Sequence, residues 1–184
     1  MVNTTAKTRK TQTKRRKALR LPVVSLGAEF LVQGFLMRRN ILAFKSPPRN
    51  EGHDLICIHP NPRKATRQIR VQVKSRYATD SNKGFPLKEK TLDAFDYLIL
   101  VCQNIGYFHG HRNVRDGQTA PVFYTLPVRV VRRLHRRKGK GWEIFRARRA
   151  ELAPYEGEAA LDQIAADLKV PYPSRKDLVA RDKA

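Results

Sequence analysis

Within residues 67–75 (RQIRVQVKS), 68–74 alternate without a break between polar and apolar side chains. Successive side chains of an extended strand leave opposite faces, so this period of two reads as a strand with one dry face. Ile69, Val71 and Val73 then point one way, and Gln68, Arg70, Gln72 and Lys74 the other. Just upstream, residues 54–59 (DLICIH) give a second short strand, and Pro60, Asn61 and Pro62 mark the turn between them. The pair predicts a hairpin with one buried face and one open face.

Other segments fill in around it. Residues 97–102 form the longest apolar run, six residues, and read with Phe95 and Asp96 as a buried strand. The run is far short of the ~18 residues a membrane span needs. Residues 26–39 predict a helix with Ser25 as N-cap; Ala28, Leu31, Val32, Phe35 and Leu36 make a broad apolar face at helical spacing. Residues 87–94 predict a second helix, 122–126 a short strand, and 125–134 the start of another helix. Residues 142–145 fit a final short strand and 159–168 an amphipathic helix. This order predicts an α/β fold, with a mixed central β-sheet flanked by helices. Residues 1–24 read as a disordered basic arm, 25–170 as one domain and 171–184 as a polar tail.

The charge is uneven. The chain carries 38 Lys and Arg against 16 Asp and Glu, a net +22 over 184 residues. A fold in water has no need of that excess, and it predicts a polyanionic partner, nucleic acid first. Residues 1–28 hold no acid; their basic side chains include Arg15, Arg16 and Lys17. A second cluster runs over 129–149, with Arg129, Arg132, Arg133, Arg136, Arg137, Lys138, Lys140, Arg146, Arg148 and Arg149 against Glu143 alone. Val130, Val131, Leu134, Trp142, Ile144 and Phe145 are interleaved with it, which places it on folded structure. Cys57 and Cys102 lie in apolar runs and read as buried thiols of a reducing compartment, with no zinc-type spacing. The basic N-terminal residues lack the apolar segment of a secretion leader, so an intracellular, nucleoid-associated chain is expected.

With acids this scarce, their positions are informative. Glu29 falls at the edge of the apolar face of the first helix, where an unpaired carboxylate is costly. Asp54 opens the first hairpin strand, and Gln72 and Lys74 share one face of the second, about 7 Å apart at ~3.3 Å per residue. Two carboxylates, an amide oxygen and an ammonium could converge there. Hard oxygen donors suit Mg²⁺, which can polarise a phosphate and acidify a water, and an adjacent lysine can hold that water or the developing charge.

Three pieces carry a resemblance: Gly27-Ala28-Glu29-Phe30 in the first helix, Gly52-His53-Asp54-Leu55 at a strand start, and Gln72-Val73-Lys74-Ser75 on the next strand. Together they resemble the PD-(D/E)XK nuclease superfamily, with its restriction-endonuclease-like αβββαβ core. The likeness is greatest to small members with Gln in the third motif, including intron-associated homing endonucleases. The strand at 95–101 and Phe-Tyr-x-Leu-Pro at 123–127 also look like that group. The resemblance implies a metal-dependent endodeoxyribonuclease using Mg²⁺ or Mn²⁺. Asp54 would be the central metal ligand, and Gln72 would hold the metal shell with the Val73 backbone carbonyl. Lys74 would act on the attacking water, and Glu29 would support a metal-bound water or a second metal. Duplex or branched DNA would lie on Arg15, Arg16, Lys17, Arg76, Arg132, Arg133, Arg136, Arg137, Lys138 and Lys140, and a homodimer or higher homo-oligomer is expected. Gln72 in place of a carboxylate removes one negative charge from the site.

Two other functions stay open. One is a nuclease-fold module that binds nucleic acid without cutting it, which Gln72 favours. The other is a structural basic RNA-binding protein, which predicts Glu29, Asp54, Gln72 and Lys74 scattered in space. Lesser candidates have plainer explanations. His109-Gly110-His111 lies in a Gly-marked loop, and His59 and His135 read as solvent-facing. Asp93 and Asp96 fit a helix–strand junction, and Gly139-Lys140-Gly141 lacks the Gly-Lys-Ser/Thr ending of a P-loop.

Overall fold

The computed structural model describes residues 22–47, 50, 52–76, 84–105, 120–135 and 143–171. In chain order these form α1 (Pro22–Met37), β1 (Leu42–Lys45), β2 (Leu55–Ile58), β3 (Gln68–Arg76), β4 (Phe85–Pro86), β5 (Tyr97–Cys102) and β6 (Val122–Pro127). Then follow α2 (Val128–Leu134), β7 (Ile144–Phe145), α3 (Arg149–Leu152) and α4 (Asp162–Asp167).

A mixed five-stranded sheet with the order β1-β2-β3-β5-β6 is the frame. β2 runs antiparallel to both β1 and β3, β3 and β5 run parallel, and β6 returns antiparallel to β5. The expected hairpin is present, with Leu55 opposite Val71 and Cys57 opposite Ile69. Helices cover both faces. On one, Ala28, Val32 and Leu36 of α1 and Ile164 of α4 pack on Leu55, Cys57, Ile69, Val71, Ile99 and Val101. On the other, Val130, Val131 and Leu134 of α2 and Leu152 of α3 pack on Leu98, Leu100, Tyr124 and Leu126. β5 is therefore buried at all its residues, as its unbroken apolar run requires. Burying each such Leu or Val stabilises by roughly 1.5–3 kcal/mol.

Several segments differ from expectation. α1 begins at Pro22, so Ser25 lies inside the helix rather than capping it. Proline suits a helix's first position, where its missing N–H has no partner to lose. Residues 87–94 make only a 3₁₀ turn, Glu89–Thr91, despite good helix formers. Leu87 and Leu92 are both buried in the α2-side core, and the Leu87 N–H is already taken by Glu143 O at 3.0 Å. Packing outweighs a weak propensity there. Residues 159–168 divide into a 3₁₀ segment, Glu158–Leu161, and the short α4. Of the described residues 143–145, Ile144 and Phe145 form strand, pairing with β4 as a separate two-stranded sheet, and Trp142 lies outside the described residues. β1 and β4 are strands that the sequence pattern did not announce.

Arg39, just past α1, is 5 % exposed and ties the helix to the C-terminal segment. Its Nε donates to Asp162 Oδ1 at 2.6 Å, and its guanidinium also donates to Glu158 O at 2.5 Å and Phe35 O at 3.3 Å. None of the described helices is long and apolar enough to cross a membrane.

Candidate functional site

The site forms where β2 and β3 stop pairing. Asp54 precedes β2, and its N–H donates to Val71 O at 2.8 Å. Gly52 brings it there, with φ at 100°; a Cβ at that position would overlap the Ala94 side chain, so only glycine fits. Beyond this point the Val73 N–H has no β2 backbone opposite it, and it donates to Asp54 Oδ2 at 2.7 Å. The Gln72 Nε2 donates to the same oxygen and to Val73 O, at 3.2 Å from the latter. An aspartate carboxylate, a main-chain carbonyl and a side-chain amide thus meet at one spot.

Gln72 does not lie on an open face. It is 6 % exposed, because β3 sits inside the sheet with both faces covered, and Leu98 is its neighbour on β5. Lys74 is half-buried two residues on, beside Leu100. Burial holds the Asp54 carboxyl above the ordinary carboxylate range. The Val73 N–H opposes that shift, followed by the charges of Lys74, Lys45 and His53. Ser46 adds a further polar atom: its N–H donates to Asp54 O at 2.9 Å, while its Oγ is buried with no partner among the described residues.

Glu29 reaches this corner through a residue the sequence reading missed. Its Oε2 forms an ion pair with Lys45 Nζ at the end of β1. Lys45 pairs in register with Leu55, the residue after Asp54, and its charge acts on the Asp54 carboxylate. The available signal was the short apolar stretch 41–44 ended by Lys45 and closed by Pro47. Asp54, Gln72, Val73 and Lys74 therefore belong to one constellation, with Glu29 joined to it by Lys45.

The donor set fits a hard divalent cation in part. The Gln72 amide nitrogen lies between Asp54 Oδ2 and Val73 O, the position a small cation between two oxygens would take. A cation there would displace the amide from that position, and a Gln72 side chain swung back with Oε1 forward would give a third oxygen of the kind Mg²⁺ accepts. The charge is low, since Asp54 is the sole carboxylate directly on that spot, and among the described residues no group of three or more His, Cys, Asp or Glu could hold a metal ion.

The basic residues divide. Arg76 stacks its guanidinium over the Phe85 ring, 5.4 Å from the centroid. Arg132 is bound to Asp93 and reaches Leu92 O at 3.4 Å, so part of its charge is used internally. Arg129 and Arg133 are exposed on α2. Arg15, Arg16, Lys17, Arg136, Arg137, Lys138 and Lys140 lie outside the described residues, as do His109 and His111. Asp96 is structural: it accepts the Arg70 N–H at 2.8 Å and pairs with the Arg70 guanidinium at 3.3 Å, joining β5 to β3. The solvent-facing reading of His59 and His135 is corrected. His59 is buried because its Nδ1 closes the turn after β2 by accepting the Asn61 N–H at 2.9 Å. His135 lies 3.0 Å from Leu87 O through Nε2. Cys57 and Cys102 are free and buried, and burial pushes their thiols up to about 12 and about 11.

Searches against family models and against curated proteins return no match for this chain.

Proposed function

We propose that the chain is a metal-dependent DNA endonuclease of the PD-(D/E)XK type. The observation that carries this reading is the meeting of Asp54, the Val73 carbonyl and the Gln72 amide, with Lys74 on the same strand face as Gln72. Asp54, Val73 O and Gln72 Oε1 would hold Mg²⁺ or Mn²⁺, and Glu29 would reach it through a water. The bound ion would supply Lewis-acid polarisation of the scissile phosphate and a more acidic water. The chain's own groups do the positioning. Gly52 and the Val73 N–H hold the Asp54 carboxylate in place. Lys74 keeps its ammonium beside Asp54, where it can orient an attacking water or offset charge on the pentavalent phosphorus. The basic excess would hold a polyanion over this spot.

A second reading, a nuclease-fold module that binds DNA without cutting it, is favoured by the low negative charge at the site. The site-free RNA-binding alternative predicts Glu29, Asp54, Gln72 and Lys74 scattered in space, and the contact of Asp54 with Gln72 weighs against it.

Incubating the protein with supercoiled and branched DNA in Mg²⁺ and in Mn²⁺ tests the proposal. Nicking is expected, with Asp54→Ala and Lys74→Ala each reducing it by at least about 10²–10³-fold, the scale of losing one stabilising group. DNA binding by both variants should stay near the wild-type level. Nicking that survives both substitutions sinks the site assignment, and tight binding with no cutting by the wild type leaves the module reading.

A further inference from the structure

We infer that Lys45 is a switchable resident cation of this site, paired to Glu29 in the free protein and released from it by a phosphate of the substrate. The inference rests on the proposal that the Asp54 site takes a divalent cation, and it adds a residue and a binding order to it. Register places Lys45 beside the site: it lies opposite Leu55, and the next residue, Ser46, donates its N–H to Asp54 O at 2.9 Å. The ion pair with Glu29 is not a surface one. The Lys45 and Glu29 side chains are only 33 % and 19 % exposed, and Nζ also lies 5.6 Å from the centroid of the Phe30 ring. Partial burial strengthens both contacts relative to their value in water.

Glu29 and Asp54 contribute two negative charges, Lys45 and Lys74 two positive ones, and Gln72 none. A divalent ion entering this site alone meets no net attraction and must still shed water. Mg²⁺ sites built on few carboxylates draw on substrate phosphates for the remaining charge. A phosphodiester arriving at the site supplies that charge and offers Lys45 a second anion. Glu29 is then freed toward the cation. Lys45 thus has two partners in two states, which couples cation binding to nucleic-acid binding, and such coupling must be reciprocal.

The test counts Mn²⁺ bound to the full chain from the loss of its free-ion paramagnetic signal. It is run alone and with a short phosphorothioate duplex, the duplex's own Mn²⁺ uptake being subtracted. Wild type should bind Mn²⁺ weakly alone and roughly 5–150-fold more tightly with duplex, the usual range of site-to-site coupling. Lys45→Met should bind Mn²⁺ more tightly than wild type without duplex and gain less from it, and Lys45→Arg should restore the wild-type pattern. Equal Mn²⁺ affinity of wild type with and without duplex overturns the inference and needs no variant to fold. Unchanged duplex-free affinity in a folded Lys45→Met protein also overturns it. Both results leave the metal site standing. Mn²⁺ uptake that is absent in every condition, or unaffected by Asp54→Ala, overturns the metal site itself and this inference with it.

Discussion

Asp54 is a carboxylate held where its charge is penalised. Its folded-state pKa is raised above the ordinary 3.8, chiefly by burial, with the Val73 N–H and nearby cations only partly offsetting that. Above the raised value the ionised group costs stability, and that cost is relieved as pH falls through it toward 3.8. Asp54→Asn should therefore melt at a higher temperature than wild type at neutral pH. One amide oxygen can accept both bonds that now end on Oδ2. The difference should shrink as pH is lowered toward 4. Melting curves across pH check this, and an Asn variant less stable at neutral pH would show that the charge stabilises the fold. The same residue also shows what the sequence made legible. Asp54 and Gln72 are 18 residues apart on a short hairpin, so strand periodicity alone brought them together. The burial of Gln72 was not legible, because an alternating polar residue looks the same on a wet face and under a second layer.

At the scale of elements, local pattern was readable where one period dominated and failed where tertiary contacts decided. α1, β2, β3, β5 and β6 each follow their hydrophobic spacing. β1 has four residues and stands one turn past Asn40, whose φ is 58°, so no window long enough to show a period contains it. Missing β1 meant missing Lys45, and with it the ion pair on Glu29. The 3₁₀ turn at Glu89–Thr91 was hidden for the opposite reason, since its residues favour a helix that the chain's anchoring prevents. That segment supports the site from behind, because Ala94 packs against Gly52. Gly52→Ala should destabilise the protein by about 1–3 kcal/mol, from a positive φ and a steric overlap together. It should also lower cleavage more than DNA binding, since it displaces Asp54 and no basic residue. Ala94→Gly in the same chain should recover part of the stability, because it removes the overlap and leaves the φ strain. Denaturant unfolding of the three proteins decides it, and a Gly52→Ala variant as stable as wild type would mean that the loop relaxes freely.

At the scale of the whole molecule, a site of zero formal charge sits in a chain of net +22. On the proposed nuclease reading, substrate attraction and cleavage are then separable by salt. Each phosphate neutralised by the protein contributes about −0.9 to the slope of log affinity against log salt for duplex DNA. Arg133 is exposed on α2, and Arg133→Ala should flatten that slope by about one phosphate's worth if its guanidinium lies in the footprint. Arg132→Ala should flatten it less, because Arg132 is already engaged by Asp93, and it should cost some stability through that lost contact. Fluorescence anisotropy titrations at several salt concentrations, without divalent ions, read both slopes. In the same titrations Asp54→Ala should leave the slope where it is, since it removes no cation from the surface. A slope near zero for the wild type would mean that the chain does not hold a polyanion by charge, whereas a slope that changes with Asp54 would place the site among the binding contacts.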